Sequence, residues 1–130
     1  MSDWKKNKDN RFDIDLKIGE GYEDSLAHIL TLEKVEVKAE IDKWKKTGNI
    51  AIEIRCRGKL SGLSVTKASY WAHILSYRGY IKATILIPVE DLKRIVKDLL
   101  SKDDAKIVMG GDDNMSQMVL VPLKKIWKVL

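Results

Sequence analysis

Two neighbouring apolar segments, Val35–Ile41 and Ile50–Arg55, carry charged residues at alternate positions. These charged residues are Glu36, Lys38, Glu40, Glu53 and Arg55. Alternation with a period of two predicts β-strands whose charged side chains share one face. Carboxylates suit hard ions such as Mg²⁺ or Mn²⁺, and such an ion beside a cation can activate water and stabilise charge on a phosphodiester. The two rows therefore form a candidate metal site for phosphodiester hydrolysis.

The turn signal Thr47-Gly48-Asn49 lies between these segments and predicts that they pair as an antiparallel hairpin. Pairing with the apolar residues on the core side brings both charged rows onto the same side of the sheet. A second interpretation stays open at this point. Alternating charges on a strand are also typical of a solvated sheet face that carries cross-strand ion pairs.

Several short strings in this region resemble the PD-(D/E)XK nuclease superfamily, which includes archaeal Holliday-junction resolvases and many phage endonucleases. The first is Gly19-x-x-x-Glu23-x-x-Leu26 on a predicted helix, and the second is Ile52-Glu53-Ile54-Arg55. The similarity to small phage-encoded members also rests on Val35–Lys38, Thr47–Glu53, Ser61-Gly62, Thr66 and Tyr70-Trp71. The resemblance covers roughly residues 19–75, with weaker similarity in the Gly-Gly-Asp and Val-Pro-Leu parts of the tail.

The resemblance implies roles for particular residues. Glu36 and Glu53 would bind Mg²⁺ or Mn²⁺, Glu23 would assist from the helix, and Lys38 would position or activate the water. Arg55 stands where the family has its usual lysine, and Glu40 and Glu20 are second-tier candidates. Another register stays open, in which Glu36-Val37-Lys38 is the literal acid-x-Lys triplet and Asp24 is the preceding acid. Asp24 falls inside the helix pattern, where that acid does not belong.

The resemblance thus predicts a divalent-metal-dependent DNA endonuclease, acting on branched or phage replication and recombination DNA. It is also compatible with a homodimer, since enzymes that make paired cuts are commonly two-fold dimers. The alternative is a catalytically inactive DNA-binding or assembly module of the same fold. Arginine at position 55 favours that alternative, because Arg keeps its charge and is a poor proton shuttle. A protein-interaction domain, the third hypothesis, predicts no salt-dependent affinity for DNA.

Composition supports a polyanionic partner and excludes several other kinds of site. The net charge is +5 and the pI is about 9.2. One cysteine and two histidines leave little material for a disulfide, a zinc cluster or a Ser-His-Asp site. No apolar run is long enough to cross a bilayer, and no secretory signal is visible, so a cytoplasmic location without membrane contact is expected. The candidate DNA-binding residues are Lys43, Lys45, Lys46, Ser61, Gly62 and Lys67.

The remaining pattern predicts a mixed α/β (α+β) fold, in which helices flank a mixed sheet. Residues 1–130 are expected to form one domain, with residues 1–11 as a flexible basic arm; the resemblance implies a restriction-endonuclease-like arrangement. Further predicted elements are an extended Phe12–Ile18, helices over Glu20–Leu32, Thr66–Leu75 and Val89–Leu100, and strands over Ile81–Ile87, Lys106–Met109 and Met118–Val121. Single-residue predictions are Trp71 in the core, His73 partly exposed, Cys56 buried, and Asp112-Asp113 in a tight turn.

Overall fold

The first helix, α1, spans Asp9–Leu32 in the computed structural model, which describes the backbone of residues 9–130 and the side chains of residues 19–130. The helix predicted over Glu20–Leu32 is therefore confirmed. Phe12–Ile18 is helical as well, so the prediction of an extended segment was wrong. Apolar residues in that run are also four positions apart, as Phe12 and Leu16 are, and this spacing suits a helix equally well. Most of the predicted basic arm lies outside the described residues.

The chain divides after Glu33 into two compact units, which are described separately. The second unit, Lys34–Leu130, contains seven strands and three helices. These are β1 (Val35–Ile41), α2 (Lys43–Thr47), β2 (Asn49–Cys56), β3 (Lys59–Leu60), β4 (Tyr70–Tyr77), β5 (Tyr80–Pro88), α3 (Val89–Ser101), β6 (Lys106–Gly110), β7 (Ser116–Pro122) and α4 (Leu123–Val129). The mixed α+β class is thus confirmed, and the restriction-endonuclease-like arrangement stays a prediction. Among the described residues, no helix has the length and apolar character needed to span a membrane.

The strands form two sheets. The first has the order β1-β4-β5, with β1 parallel to β4 and β4 antiparallel to β5. The second has the order β3-β2-β7-β6 and is antiparallel throughout. The predicted hairpin between β1 and β2 was therefore wrong, since these strands belong to different sheets. Helix α2, rather than a tight turn, connects them, and β1 takes its backbone partners from β4.

Strand β4 replaces the helix that was predicted over Thr66–Leu75. The segment is rich in aromatic and branched residues, which suit a pleated surface. It ends in a two-residue turn to β5, where Arg78 and Gly79 have φ angles of 49° and 82°. Two successive positive φ values are typical of tight antiparallel hairpins. The Arg78-Gly79 turn was the local signal for this hairpin.

The core of the second unit lies between the sheets and helices α3 and α4. Its most deeply buried side chains are Ile50, Ile52, Trp71, Leu92, Ile95, Leu99, Val119, Val121 and Ile126. Helix α3 buries its apolar stripe as predicted, whereas α4 has no counterpart among the sequence predictions. Trp71 is confirmed as a core residue. Cys56 is half-buried rather than buried, and Asp113, with φ of 56°, is in a tight turn as predicted.

Strand β1 turns Glu36 and Glu40 of its polar row toward the protein interior, and it leaves Val37 and Ile41 of its apolar row exposed. Val37 and Ile41 are 54% and 68% exposed, while Glu36 and Glu40 are half-buried. The prediction that the apolar residues of this strand face the core was therefore wrong. Buried carboxylates are costly unless they have hydrogen-bond partners. The partners that Glu36 and Glu40 find inside the second unit explain this orientation.

Candidate functional site

A cavity of about 250 Å³ lies where β1 faces β2 and β4. Its lining includes three of the charged residues that were proposed from the sequence for the metal site: Lys38 and Glu40 from β1, and Glu53 from β2. The other lining residues are Ala39, Ala51, Trp71, His73 and Met118. Part of each charged row therefore lines the same cavity, although the two strands belong to different sheets.

A hydrogen-bonded chain of side chains supports Glu40 from β4. The indole N–H of Trp71 donates to Nδ1 of His73 at 3.0 Å. Since an indole nitrogen can only donate, Nδ1 of His73 is the acceptor and the ring proton lies on Nε2. That Nε2–H donates to Oε1 of Glu40 at 2.9 Å. Trp71 thereby fixes the tautomer of His73, and His73 fixes the orientation of the Glu40 carboxylate.

Glu40 also connects the two sheets. Strand β2 pairs with β7 along one side, but along the other side it pairs with β3 only at Arg55 and Cys56. The backbone N–H of Ala51 donates to Oε1 of Glu40 at 2.7 Å. The carboxylate from one sheet thus satisfies a backbone donor of the other, which gives Glu40 a structural role in addition to any chemical one.

Glu53 is held by a side chain and by close backbone packing. The hydroxyl of Ser116 on β7 donates to Oε1 of Glu53 at 2.7 Å. Gly62 lies directly against the backbone of Glu53, because a Cβ built on Gly62 would stand 2.2 Å from the carbonyl oxygen of Glu53. Gly62 was proposed from the sequence as a candidate DNA-binding residue. The structure provides another reason for glycine at this position, which is the approach of Glu53.

Glu36 lies outside the lining of the cavity. Its Oε1 accepts a hydrogen bond from the hydroxyl of Thr66 at 3.2 Å. The same hydroxyl accepts from the N–H of Ala68, also at 3.2 Å. The segment from Ser61 to Thr66 therefore contacts Glu36 at one end and Glu53, through Gly62, near the other.

Arg55 and the acids of α1 are not part of the cavity lining. The register of β2 against β7 shifts between Glu53 and Arg55. Arg55 is exposed, and its guanidinium donates to the carbonyl of Gly58 at 3.5 Å. Glu20 and Glu23 are exposed on α1, which belongs to the first unit. Lys38 is thus the sequence-predicted cation that shares the cavity with Glu53.

Glu40 and Glu53 are the two carboxylates in the lining of this cavity, which makes them the candidates to hold a divalent ion. Their hydrogen bonds fall on Oε1 in both residues, and no described residue bonds to either Oε2. Mg²⁺ keeps several waters and is commonly bound through only one or two carboxylates. Among the described residues, no group of three or more His, Cys, Asp or Glu side chains is arranged to hold one ion. Two carboxylates, with water in the other positions, are a donor set of the kind that Mg²⁺ accepts.

The predicted DNA-binding residues occupy different parts of the second unit. Lys45 and Lys46 on α2 line a separate groove of about 590 Å³, together with Lys124 and Lys125 of α4. Lys43 is exposed on α2 and Lys67 is exposed beside Thr66, and neither lines that groove. Ser61 begins the turn that contains Gly62. Lys124 and Lys125 were not predicted, because nothing in the sequence indicates that the C-terminal helix packs beside α2.

Lys125 has a carboxylate partner at the edge of the groove. Its ammonium group donates to Oδ1 of Asp104 at 2.6 Å. This hydrogen bond, with the charges of Lys125, Lys102 and Lys128, lowers the pKa of Asp104 below its usual 3.8 against a smaller opposing effect of burial. Lys125 is therefore partly neutralised, unlike its neighbour Lys124, for which no ion pair is found among the described residues.

His73 is the residue in the cavity that sequence reasoning placed wrongly. It was expected to be a partly exposed helix residue, but it is 2% exposed on β4 and lines the cavity. Its signal was the alternation of Trp71, His73 and Leu75, which places all three on one face of a strand.

No known protein family, curated protein or solved structure matches this chain.

Proposed function

We propose that the second unit is the catalytic part of a divalent-metal-dependent DNA endonuclease. The observation that carries the proposal is the cavity in which Lys38, Glu40 and Glu53 converge from two sheets. An ion held by carboxylates can supply an activated water and a counter-charge for metal-assisted phosphodiester hydrolysis, and a nearby ammonium group adds a second positive charge. The net charge of +5 favours a polyanionic substrate.

The chain's own residues divide the work between them. Glu40 and Glu53 would hold Mg²⁺ or Mn²⁺, and the bound ion would supply a more acidic water and a counter-charge for the phosphate. His73 holds the carboxylate of Glu40 through Oε1, and Ser116 holds that of Glu53 in the same way. Outer hydrogen bonds of this kind orient metal ligands before the metal binds. Lys38 donates to a phosphate oxygen or orients the water, the role that the resemblance gives to a lysine.

Isosteric variants test the proposal without removing the internal hydrogen bonds. In Glu53→Gln and Glu40→Gln, the amide oxygen can still accept from Ser116, or from Ala51 and His73, so both variants should fold. Cleavage of branched and linear DNA with Mg²⁺ or Mn²⁺ should fall by at least roughly 100-fold, since even outer-sphere groups at metal sites are worth 10- to 100-fold. Glu90→Gln, at an exposed carboxylate of α3, is the matched control and should cut at the parental rate.

Glu36→Gln distinguishes the role of Glu36 from that of Glu40, the other carboxylate of β1. Glu36 lies outside the cavity lining and bonds to Thr66, so this variant should keep more activity than Glu40→Gln. The opposite order would return Glu36 to the role of metal ligand that the resemblance assigns to it. Parental cleavage by both Glu40→Gln and Glu53→Gln would show that the cavity is not the active site.

The alternative function is a DNA-binding or assembly module without catalysis. The exposed position of Arg55, where the nuclease family has its lysine, is the observation that favours it. Fluorescence anisotropy with EDTA, Mg²⁺ and Mn²⁺ separates the two functions when it is run beside the cleavage assay. Salt-dependent binding without cleavage under every metal condition would support the module and contradict the nuclease.

A further inference from the structure

A second feature of the second unit is a groove of about 590 Å³ with an excess of positive charge. Four lysines belong to its lining, two from α2 and two from α4, and no acidic residue does. We call this feature the lysine groove. Its lining residues are Lys45, Lys46, Thr47, Gly48, Asn49, Pro122, Leu123, Lys124 and Lys125.

Backbone contacts hold the two sides of the lysine groove together. Gly48 caps the C-terminal end of helix α2, and its φ of 73° is a left-handed conformation that suits glycine. The carbonyl of Gly48 accepts a hydrogen bond from the N–H of Leu123, the first residue of α4, at 2.8 Å. Asn49 and Pro122 are register partners in β2 and β7. The two lysine pairs are therefore attached to an ordered framework, one pair on each side of this contact.

The four lysines are not equally available to a ligand. Lys125 is bonded to Asp104, and Nζ of Lys45 lies 4.1 Å from the centre of the Tyr77 ring. Lys46 and Lys124 are exposed, and within residues 19–130 neither has an ion-pair partner. Unpaired ammonium groups on opposite sides of a groove suit a ligand with repeated negative charges.

The lysine groove and the catalytic cavity follow one another along the same pair of strands. On β2, Asn49 lies in the groove, while Ala51 and Glu53 line the cavity. On β7, Pro122 pairs with Asn49 at the groove, and Met118 pairs with Glu53 at the cavity. Residues two and four positions apart share one face of a strand. With about 3.3 Å per residue, the four steps from Asn49 to Glu53 cover about 13 Å.

The geometry points to the lysine groove as a phosphate-binding subsite, in which Lys46 and Lys124 bind backbone phosphates of the DNA strand whose phosphodiester enters the cavity. This inference rests on the proposed nuclease function and extends it. Phosphate contacts position a duplex or single strand without reading its sequence. The groove would therefore determine the register of the substrate and leave base preference unchanged.

Salt titration of DNA binding tests the inference on the full-length chain. Anisotropy of fluorescein-labelled DNA in EDTA, from low to moderate NaCl, yields the slope of log K against log salt. Lys46→Ala and Lys124→Ala should each weaken binding at low salt and reduce that slope by about one, as expected for one lost phosphate contact. Lys97→Ala removes the same charge from α3, outside the groove, and should leave the slope at the parental value.

The outcomes separate this inference from the proposed function. If the parent binds and cleaves DNA but the groove variants match Lys97→Ala, the lysine groove is not the subsite and the nuclease proposal stands. If the parent shows no salt-dependent binding, both proposals are wrong.

A DNA strand with one neutral methylphosphonate provides a second measurement. The methylphosphonate is moved along the strand beside the cut. At one position, the loss of the phosphate charge should weaken binding by the parent but not by Lys124→Ala. Equal losses in both proteins at every position would contradict the inference.

Discussion

At the scale of single residues, the side chains of Trp71, His73 and Glu40 explain how a carboxylate is tolerated inside the second unit. The donor of Trp71 determines which nitrogen of His73 accepts, and the remaining N–H of His73 then donates to Glu40. Glu40 also accepts from the backbone of Ala51, so its carboxylate has partners in both sheets. A buried polar group with such partners costs little, whereas the same group left unpaired is expensive.

Trp71→Phe removes the hydrogen bond between Trp71 and His73, the first of this series. The ring still fills most of the space, but Nδ1 of His73 loses its donor while it remains buried. We expect a loss of about 1–3 kcal/mol in the free energy of unfolding, the usual cost of an unsatisfied buried group. Urea denaturation followed by circular dichroism measures it.

Trp127→Phe is the matched control, because Trp127 is 57% exposed on α4. Surface substitutions of this kind usually change stability by no more than about 0.5 kcal/mol. Equal stability of the two variants would show that the bond between Trp71 and His73 does not support Glu40.

At the scale of elements, the turn at Gly62–Ser64 positions the segment of β2 that carries Glu53. Gly62 has φ of 53° and no room for a side chain, since Glu53 lies against it. The N–H of Ser61 donates to the carbonyl of Ile54 at 3.0 Å, which holds the turn against β2. A side chain added at Gly62 should therefore displace Glu53.

Gly62→Ala should lower the free energy of unfolding by more than backbone strain alone would, and it should also slow cleavage. Residues held in sparsely populated backbone regions cost about 1–3 kcal/mol, and here a clash with the Glu53 carbonyl is added. The free energy of unfolding and the cleavage rate of the folded fraction are the measurements.

Gly79→Ala isolates the contribution of strain. Gly79 has φ of 82°, but a Cβ there would meet nothing within 4 Å. It lies in the turn between β4 and β5, outside the lining of the cavity. It should lose stability through strain and retain the parental cleavage rate. If Gly62→Ala were no worse than Gly79→Ala in both measurements, the turn would not position Glu53.

At the scale of the whole molecule, the core identified among the described residues lies entirely within the second unit. Its members run from Ile50 to Ile126 and come from both sheets and from α3 and α4. The unit also contains the cavity and the lysine groove. The parts needed for folding and for the proposed chemistry are therefore largely contained in residues 34–130.

A shortened chain that begins at Lys34 should consequently fold. We expect a single cooperative urea transition and a native circular dichroism spectrum, because every core residue identified among residues 19–130 is retained. A chain that begins at Asp42 is the control. It lacks β1 and with it Glu40, so Ala51 and His73 lose their partner, and the transition should weaken or disappear. Absence of a cooperative transition in the longer of these two chains would contradict the prediction.

Local sequence pattern was sufficient for some elements and not for others. Helix α3 was predicted because its apolar residues recur at helical spacing, and β5 because it is rich in branched residues. Strand β4 was missed because Trp71, Ile74 and Leu75 also fit a helix, and a short apolar run supports either periodicity. The shared face of Glu36, Lys38 and Glu40 followed from alternation alone, since a strand places every second residue on one side.

Which charged residues meet was decided by the tertiary structure. The sequence indicated that the rows of β1 and β2 belong together, but for the wrong reason, because the strands do not pair. Lys38 and Glu40 share the lining of one cavity with Glu53 of the other sheet, and His73 lines it from β4. Lys46 and Lys124 are 78 positions apart in the chain and share one groove. Alternation depends on local backbone geometry, whereas partner choice depends on burial and hydrogen bonding between distant segments, and no local pattern specifies it.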